Sequence, residues 1–322
     1  LHFEYNMQFY GGMIHLDDAT IEGLLDLAGV TAVVGQAFVD WGRGRAATTQ
    51  RVRASTAEAM ASAMAAVVPP FTGGKIYATR DGKFTFLNVL FDFDGRLLCT
   101  LDGDALTALR TPATCALAIR ALGDPATTTT AAVFGAGRQG WRHVEMLRAE
   151  LPALECVRIV DVNPSAAEAM VSRARDAGIP AEVANDATAA IDGAGVVVTI
   201  TQSTQPLFAA GALSETALIC AVGATKYDRC EIGADVVARC GMVVCDDVVG
   251  SRIECGDLIQ AHRAGRFDWD RAVELHAVLA GTIPAPPVGA GPVLFETQGV
   301  ALQDVAAAGL AWQRYNNERT TP

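Results

Sequence analysis

The stretch AAVFGAGRQGWRHVEML, residues 131–147, constrains this chain more than any other. An apolar run leads into Gly135, Gly137 and Gly140, and an amphipathic stretch leads out. Three glycines at that spacing form a phosphate-binding turn only if a strand precedes, a helix follows and an acidic residue ends the next strand. Asp161, closing the run CVRIV, meets the last condition. In this reading Gly135 permits the tight turn, Gly137 lets the backbone approach a pyrophosphate, and Gly140 lets helix and strand pack closely. The helix N-terminus offers free N–H groups and positive dipole. Ala136, Arg138 and Gln139 fall in the same turn and join it as cofactor-binding candidates. A carboxylate at Asp161 accepts from ribose hydroxyls and repels a 2′-phosphate, favouring NAD. Arg138 and Arg142 attract phosphate, so NADP stays open.

The rest of the chain suits such a fold. Its 322 residues allow a large core or two domains, and 51% apolar with 19% charged residues is globular composition. The net charge of −11 disfavours nucleic acid and anionic lipid as partners and points to small-molecule chemistry. No apolar run is long enough to span a membrane. The eight cysteines form no CxxC, and His143, His262 and His276 have no carboxylate or thiol at metal spacing. We expect reduced thiols in a cytoplasmic core, packing histidines and no metal site. Residues 1–12 lack signal-peptide order and are expected to be a leader or an expression remnant. No GxSxG motif is present.

Patterned sequence starts at Met13 with a short strand, an Asp cap and a helix continuing through LAGVTAVVGQAFVDWGRG. TTQRVRAS alternates, putting Arg51 and Arg53 on one strand face. KIYAT and FTFLNVLFDFDGRLLCTLD read as further strands of a meander or a mixed sheet. DALTALRTPATCALAIRAL reads as a helix entered from Asp102 or Asp104, with Pro112 pointing to the start of a new helix within it. After the hinge-like GDPATTTT, strands at TAAVFGAG, CVRIVDVNP, AEVAN, VVVTITQS, ALICAVG and GMVVCDD alternate with helical stretches. That order indicates a doubly wound parallel sheet. The closing GVALQDVAAAGLAWQRY is helical.

LDGDALTALRTPATCALAIRAL, followed by the dinucleotide turn, resembles the ornithine cyclodeaminase and mu-crystallin family. QRVR, the Lys75 segment, AVGATKYDRCEI, ECGDLI and LFETQGVALQD agree with it. The resemblance implies an α/β fold in which a Rossmann-type sheet is inserted in an α+β substrate and dimerisation domain. The expected division is 13–125 plus 300–322 for the substrate domain and 126–299 for the NAD-binding domain, with a homodimer as the assembly. It also implies hydride transfer between nicotinamide and the α-carbon of a small amino or imino acid.

Arg53, Lys75 and Arg110 match the family's substrate-binding cations, with Arg51 competing for the place of Arg53. An α-carboxylate needs a bidentate Arg or paired cations to fix its plane. Fixing it presents the α-carbon to the nicotinamide. Lys75 and Arg110 are the catalytic candidates, joined by Asp228 as an acid or a steadying charge. Thr111, Thr201, Val222, Gly223 and Gly299 are candidate cofactor contacts, and Asp304 a cap or contact. Two positions depart from the cyclodeaminase pattern: Thr225 stands for its Asp and Ala66 for its Glu. Activating a substrate amine without those carboxylates is hard, whereas an imine reductase needs chiefly a carboxylate clamp and NADH. Glu296-Thr297 also replaces the Lys-Ser or Asp-Ser often found there. The expected activity is therefore reduction of small imino acids. Cyclic ketimines such as pyrroline-2-carboxylate or piperideine-2-carboxylate come first, then linear imines. The alternatives are an ornithine or lysine cyclodeaminase with bound NAD, an alanine-type dehydrogenase, or a non-catalytic crystallin-like binder.

Overall fold

The computed structural model describes residues 14–81, 83–286 and 290–320. The expected leader at residues 1–12 lies outside the described residues. The chain opens with β1 (Ile14–Leu16), α1 (Asp18–Leu24) and α2 (Leu27–Gly42). The expected single helix is broken, because each half carries its own cap. Asp17 accepts from the Thr20 amide and Asp26 from the Gly29 amide, and the two helices meet at 89°. A side-chain acceptor that satisfies the first free N–H groups starts a helix wherever it occurs.

A meander follows: β2 (Ala47–Thr48), β3 (Val52–Ser55), β4 (Met60–Val68), β5 (Phe71–Arg80), β6 (Lys83–Asp92) and β7 (Leu97–Asp102). The sheet order is β1-β7-β6-β5-β4-β2, with β3 also paired to β4. Only the β1–β7 pair is parallel. β4 alternates strictly, burying Ser62, Met64, Ala66 and Val68 and exposing Ala61, Ala65 and Val67. The same parity on β5 puts Lys75 on the buried face and Ile76 on the open one.

α3 (Asp104–Leu122) runs unbroken through Pro112, contrary to the expected new start, and its cap is Gly103 rather than an aspartate. Asp18 on α1 instead accepts from the Ala105 amide at 2.7 Å. A mid-helix proline costs about 3 kcal/mol. Burial of nearly every residue from Ala105 to Ile119 outweighs it, since each large apolar side chain fully buried contributes roughly 1.5–3 kcal/mol.

The second half alternates. Its elements are β8 (Thr130–Phe134), α4 (Arg138–Glu150), β9 (Cys156–Val160), α5 (Pro164–Asp176), β10 (Ala181–Val183), α6 (Ala187–Ile191), β11 (Val196–Thr199), β12 (Leu218–Ala221), α7 (Ala234–Arg239), β13 (Met242–Cys245), α8 (Val248–Glu254), α9 (Gly256–Arg263), β14 (Ala272–Glu274), α10 (Leu275–Leu279) and β15 (Val293–Glu296). All pairs are parallel, in the order β10-β9-β8-β11-β12-β15-β13-β14. The chain leaves β8 toward β9 on one side and returns through β11 on the other. That reversal opens a crevice at the carboxyl ends of the strands. α11 (Ala301–Thr320) then crosses back and packs on β4, β5, α2 and α3. Among the described residues no single helix is long and apolar enough to cross a membrane.

Candidate active site

The glycine turn sits at the crevice. Gly135 has φ +110°, and a Cβ there would stand 2.5 Å from the Ile200 carbonyl oxygen beyond β11. A Cβ on Gly140 would stand 1.9 Å from the Gly135 carbonyl oxygen, while the corresponding direction at Gly137 is open. The turn is thus closed toward the protein at Gly135 and Gly140 and open at Gly137, the side from which a pyrophosphate would approach. Asp161 accepts from the Ala136 amide at 2.6 Å and the Asn163 amide at 2.8 Å, so its carboxylate also sets the shape of the turn. These groups fit a dinucleotide. Gly140→Ala is expected to weaken NADH binding roughly 5- to 150-fold, because overpacking against backbone costs about 1–3 kcal/mol. A fluorescence titration of NADH gives the Kd, and an unchanged value would detach the turn from the cofactor.

A cleft of about 350 Å³ runs from the turn to the first sheet. It brings together Arg110, Thr111, Arg138, Gln139, Val222, Gly223 and Gly299, all singled out in the sequence, with Phe84, Phe86, Asp104, Thr107, Ile200, Thr225, Thr297 and Gln298. Asp104, the one carboxylate of this lining among the described residues, is ion-paired with Arg138 at 3.6 Å.

Beneath the cleft lies a buried charge cluster. Lys75 Nζ donates to Thr107 Oγ1 at 2.6 Å and Asp304 Oδ1 at 3.2 Å, and lies 4.3 Å from the centre of the Phe86 ring. Arg110 donates to Gln303 Oε1 at 2.7 Å, its Nε is 3.3 Å from Asp304 Oδ1, and its guanidinium rests against Gly299. Gly299 has φ +80°, and a Cβ there would stand 2.6 Å from Arg110 Nη1. Burial pushes the Lys75 ammonium down to about 8; Asp304 opposes the shift, and Arg110 and Arg51 reinforce it. Burial alone would raise Asp304, but Lys75, Arg110 and Arg51 together hold its carboxyl below the usual range. Asp304 stands in the first turn of α11, where the helix dipole also favours negative charge.

Arg51 and Arg53 share one carboxylate. Arg51 pairs with Glu254 and donates to the carbonyls of Gln298 at 3.0 Å and Gly299 at 2.9 Å. Arg53 pairs with the other oxygen of Glu254 at 2.8 Å and reaches the Thr225 carbonyl at 3.4 Å. Neither lies in the cleft lining, and Arg51 is the more deeply buried.

Two sequence candidates are placed elsewhere. Asp228 is exposed and stands outside the cleft lining, because the chain turns at 226–229 with the Arg229 amide bonded to the Lys226 carbonyl. Thr201 spends its amide and hydroxyl on Glu231 Oε1, at 2.5 and 2.6 Å, and so braces the loop instead of facing the cleft. Glu231 also accepts from Thr199 and Gly223, and burial raises its carboxyl against these bonds. Asp246, unread in the sequence, holds the 297–299 turn: it accepts from Thr297 Oγ1 at 2.6 Å and the Gly299 amide at 2.8 Å. Burial pushes it up to about 6, with those bonds opposing. Its one signal in the sequence was a carboxylate closing a parallel strand. Thr107, Gln303 and Glu254 were missed as well.

The profile of the ornithine cyclodeaminase/mu-crystallin family matches residues 13–319. The chain belongs to that family. Within the ornithine cyclodeaminase/mu-crystallin family it is 32% identical over 308 residues to the Delta(1)-pyrroline-2-carboxylate/Delta(1)-piperideine-2-carboxylate reductase of Azospirillum brasilense, covering 92% of this chain and 94% of that protein. Its fold is similar to the solved structure of a probable ornithine cyclodeaminase from Bordetella pertussis Tohama I, with TM-score 0.90, 36% identity and coverage of 97% and 99%. It is also similar to the iminosuccinate reductase of Paracoccus denitrificans, solved in complex with NAD+, with TM-score 0.88, 25% identity and coverage of 95% and 97%.

Proposed function

We propose that this chain is an NADH-dependent reductase of small imino acids, with cyclic ketimines such as pyrroline-2-carboxylate and piperideine-2-carboxylate foremost. One observation carries the reading. The cleft joins a dinucleotide turn to buried cations, and among the described residues the one carboxylate of its lining, Asp104, is paired with Arg138 of that turn. Thr225 lines the cleft where a cyclodeaminase has Asp, and Ala66 is buried in β4 opposite Gly73. The similarity to the Azospirillum reductase and to a relative solved with NAD+ supports the same activity and cofactor.

A dinucleotide held by the 135–140 turn and Asp161 would supply the hydride for the imine carbon. Arg110 clamps the substrate carboxylate with its planar fork. Lys75 adds positive charge behind it, and Arg51 and Arg53, tied to Glu254, hold the neighbouring wall. Phe84 and Phe86 offer an apolar surface to the substrate ring. Asp161 favours NADH over NADPH. Residues 13–125 plus 300–322 serve as the substrate domain and 126–299 as the nucleotide domain. A second copy packs on the open face of the first sheet. There Val52, Ala63, Ile76 and Leu87 form one cross-strand row, with Val52 65%, Ile76 57% and Leu87 41% exposed. The eight unpaired thiols suit a reducing compartment, the cytoplasm.

Loss of NADH absorbance with pyrroline-2-carboxylate, run beside ornithine plus NAD assayed for ammonia, tests the reading. Turnover of the imine alone supports it; ammonia and proline from ornithine would replace it with a cyclodeaminase. A pH profile adds a second check. Lys75 acts in its charged form, and burial pushes its ammonium down to about 8. The rate is expected to hold below that pH and to fall about tenfold per unit above it. A profile flat to pH 10 would remove Lys75 from the reaction.

A further inference from the structure

Lys75 lies beneath the cleft and touches it through Thr107, yet it does not enter the cleft. An ammonium has three N–H groups, and three neighbours take them: the Thr107 hydroxyl at 2.6 Å, Asp304 at 3.2 Å and the Phe86 ring at 4.3 Å. The side chain is 2% exposed and absent from the cleft lining, which does include Thr107. A hydroxyl that accepts an N–H keeps its own O–H to donate. Among the described residues the Thr107 O–H has no acceptor, and it stands on the cleft side of α3, one turn before Arg110.

We propose that Thr107 is a further catalytic residue, passing a proton from Lys75 to the imine nitrogen. The proposal rests on the imine-reductase reading. A hydride from the reduced nicotinamide forms the new C–H bond at the imine carbon. The π pair of the C=N bond moves to nitrogen, which takes the proton of Thr107 Oγ1. Thr107 takes one in turn from Lys75 Nζ. Lys75 is left neutral and regains its proton from solvent when the amino acid leaves; the nicotinamide leaves oxidised. The groups around Lys75 are Asp304 from α11, Arg110 from α3 and Arg51 ahead of β3. With burial they hold its ammonium near the pH at which proton transfer is most effective.

The relay matters only when the imine arrives unprotonated. An iminium already carries its proton, so the contribution of Thr107 grows with pH. Thr107→Val keeps the branched shape and removes the hydroxyl; Thr107→Ser restores it. We expect the valine variant to lose on the order of 100-fold in kcat at pH 8, less with each unit below, and the serine variant to recover most of it. In the free protein, NMR of lysines labelled at Cε resolves Lys75 from the other two, Lys83 and Lys226. Its titration is expected to move down in Thr107→Val, where the charged form loses an acceptor, and to return in Thr107→Ser.

An active wild type whose valine variant keeps its kcat, or loses the same factor at every pH, overturns the relay and leaves the imine-reductase reading standing. An unmoved Lys75 titration also overturns it. A wild type that binds NADH yet reduces no imine overturns the reading, and the relay with it.

Discussion

Arg110→Leu is expected to lower kcat/KM for pyrroline-2-carboxylate roughly 30- to 3,000-fold while leaving the NADH Kd within about twofold. Arg110 is 7% exposed, and its guanidinium is fixed on three sides, by Gln303, Asp304 and the Gly299 backbone. That geometry leaves its planar fork oriented before substrate arrives, so little ordering is needed on binding. Truncating one partner of a buried charged hydrogen bond costs about 2–5 kcal/mol, and each 1.4 kcal/mol is tenfold. Arg110→Lys restores the charge without the fork and is expected to recover only part of the loss. Steady-state kinetics with both variants, beside NADH fluorescence, checks this. A leucine variant with wild-type kcat/KM would move the carboxylate clamp to Arg53 or Arg51.

Asp304→Leu is expected to be the most destabilising single change at the site, by about 3–5 kcal/mol. Asp304 is the counter-charge of Lys75 and Arg110 and is itself 1% exposed. Without it, two cations remain buried with no anion between them, and Arg51 adds to the repulsion. Set against a typical stability of about 5–15 kcal/mol, that loss is large. The urea midpoint reads it, with Asp304→Asn falling between because it keeps an acceptor for Lys75. Acid acts in the same direction. The folded carboxyl lies below its ordinary value, so its contribution is complete above that value and is lost as pH falls through the folded one. The asparagine variant should lack this part of the acid-side dependence. Leucine and wild-type midpoints that coincide would show the cluster to be electrostatically idle.

The expected elements that failed did so for local reasons with tertiary answers. Pro112 looked like a helix start because proline interrupts hydrogen bonding, but the buried length of α3 carries the helix past it. The break between α1 and α2 was written in Asp26, yet the apolar periodicity on both sides hid it. β14, β15 and α7–α10 span only three to eight residues each, too short for a periodic signal. Asp228 had the right chemistry and the right neighbourhood in sequence, and a tight turn leaves it in solvent.

What the sequence by itself determined was the alternating second half: the glycine turn, Asp161 closing the next strand, and the order of strand and helix around them. These are short-range features, fixed by backbone sterics and by periodicity over a few residues. The Arg-Thr helix and the lysine segment were legible as candidates through their resemblance to a family. Only the tertiary structure decided what those cations face. Asp304 lies 229 residues along the chain from Lys75, and Glu254 lies 203 from Arg51. Charge pairing across such separations depends on how α11 crosses the first sheet and how α8 meets β3. No local propensity encodes that; the packing of α11 on the first sheet and the approach of α8 to Arg51 and Arg53 bring the partners together, and burial then makes their pairing strong.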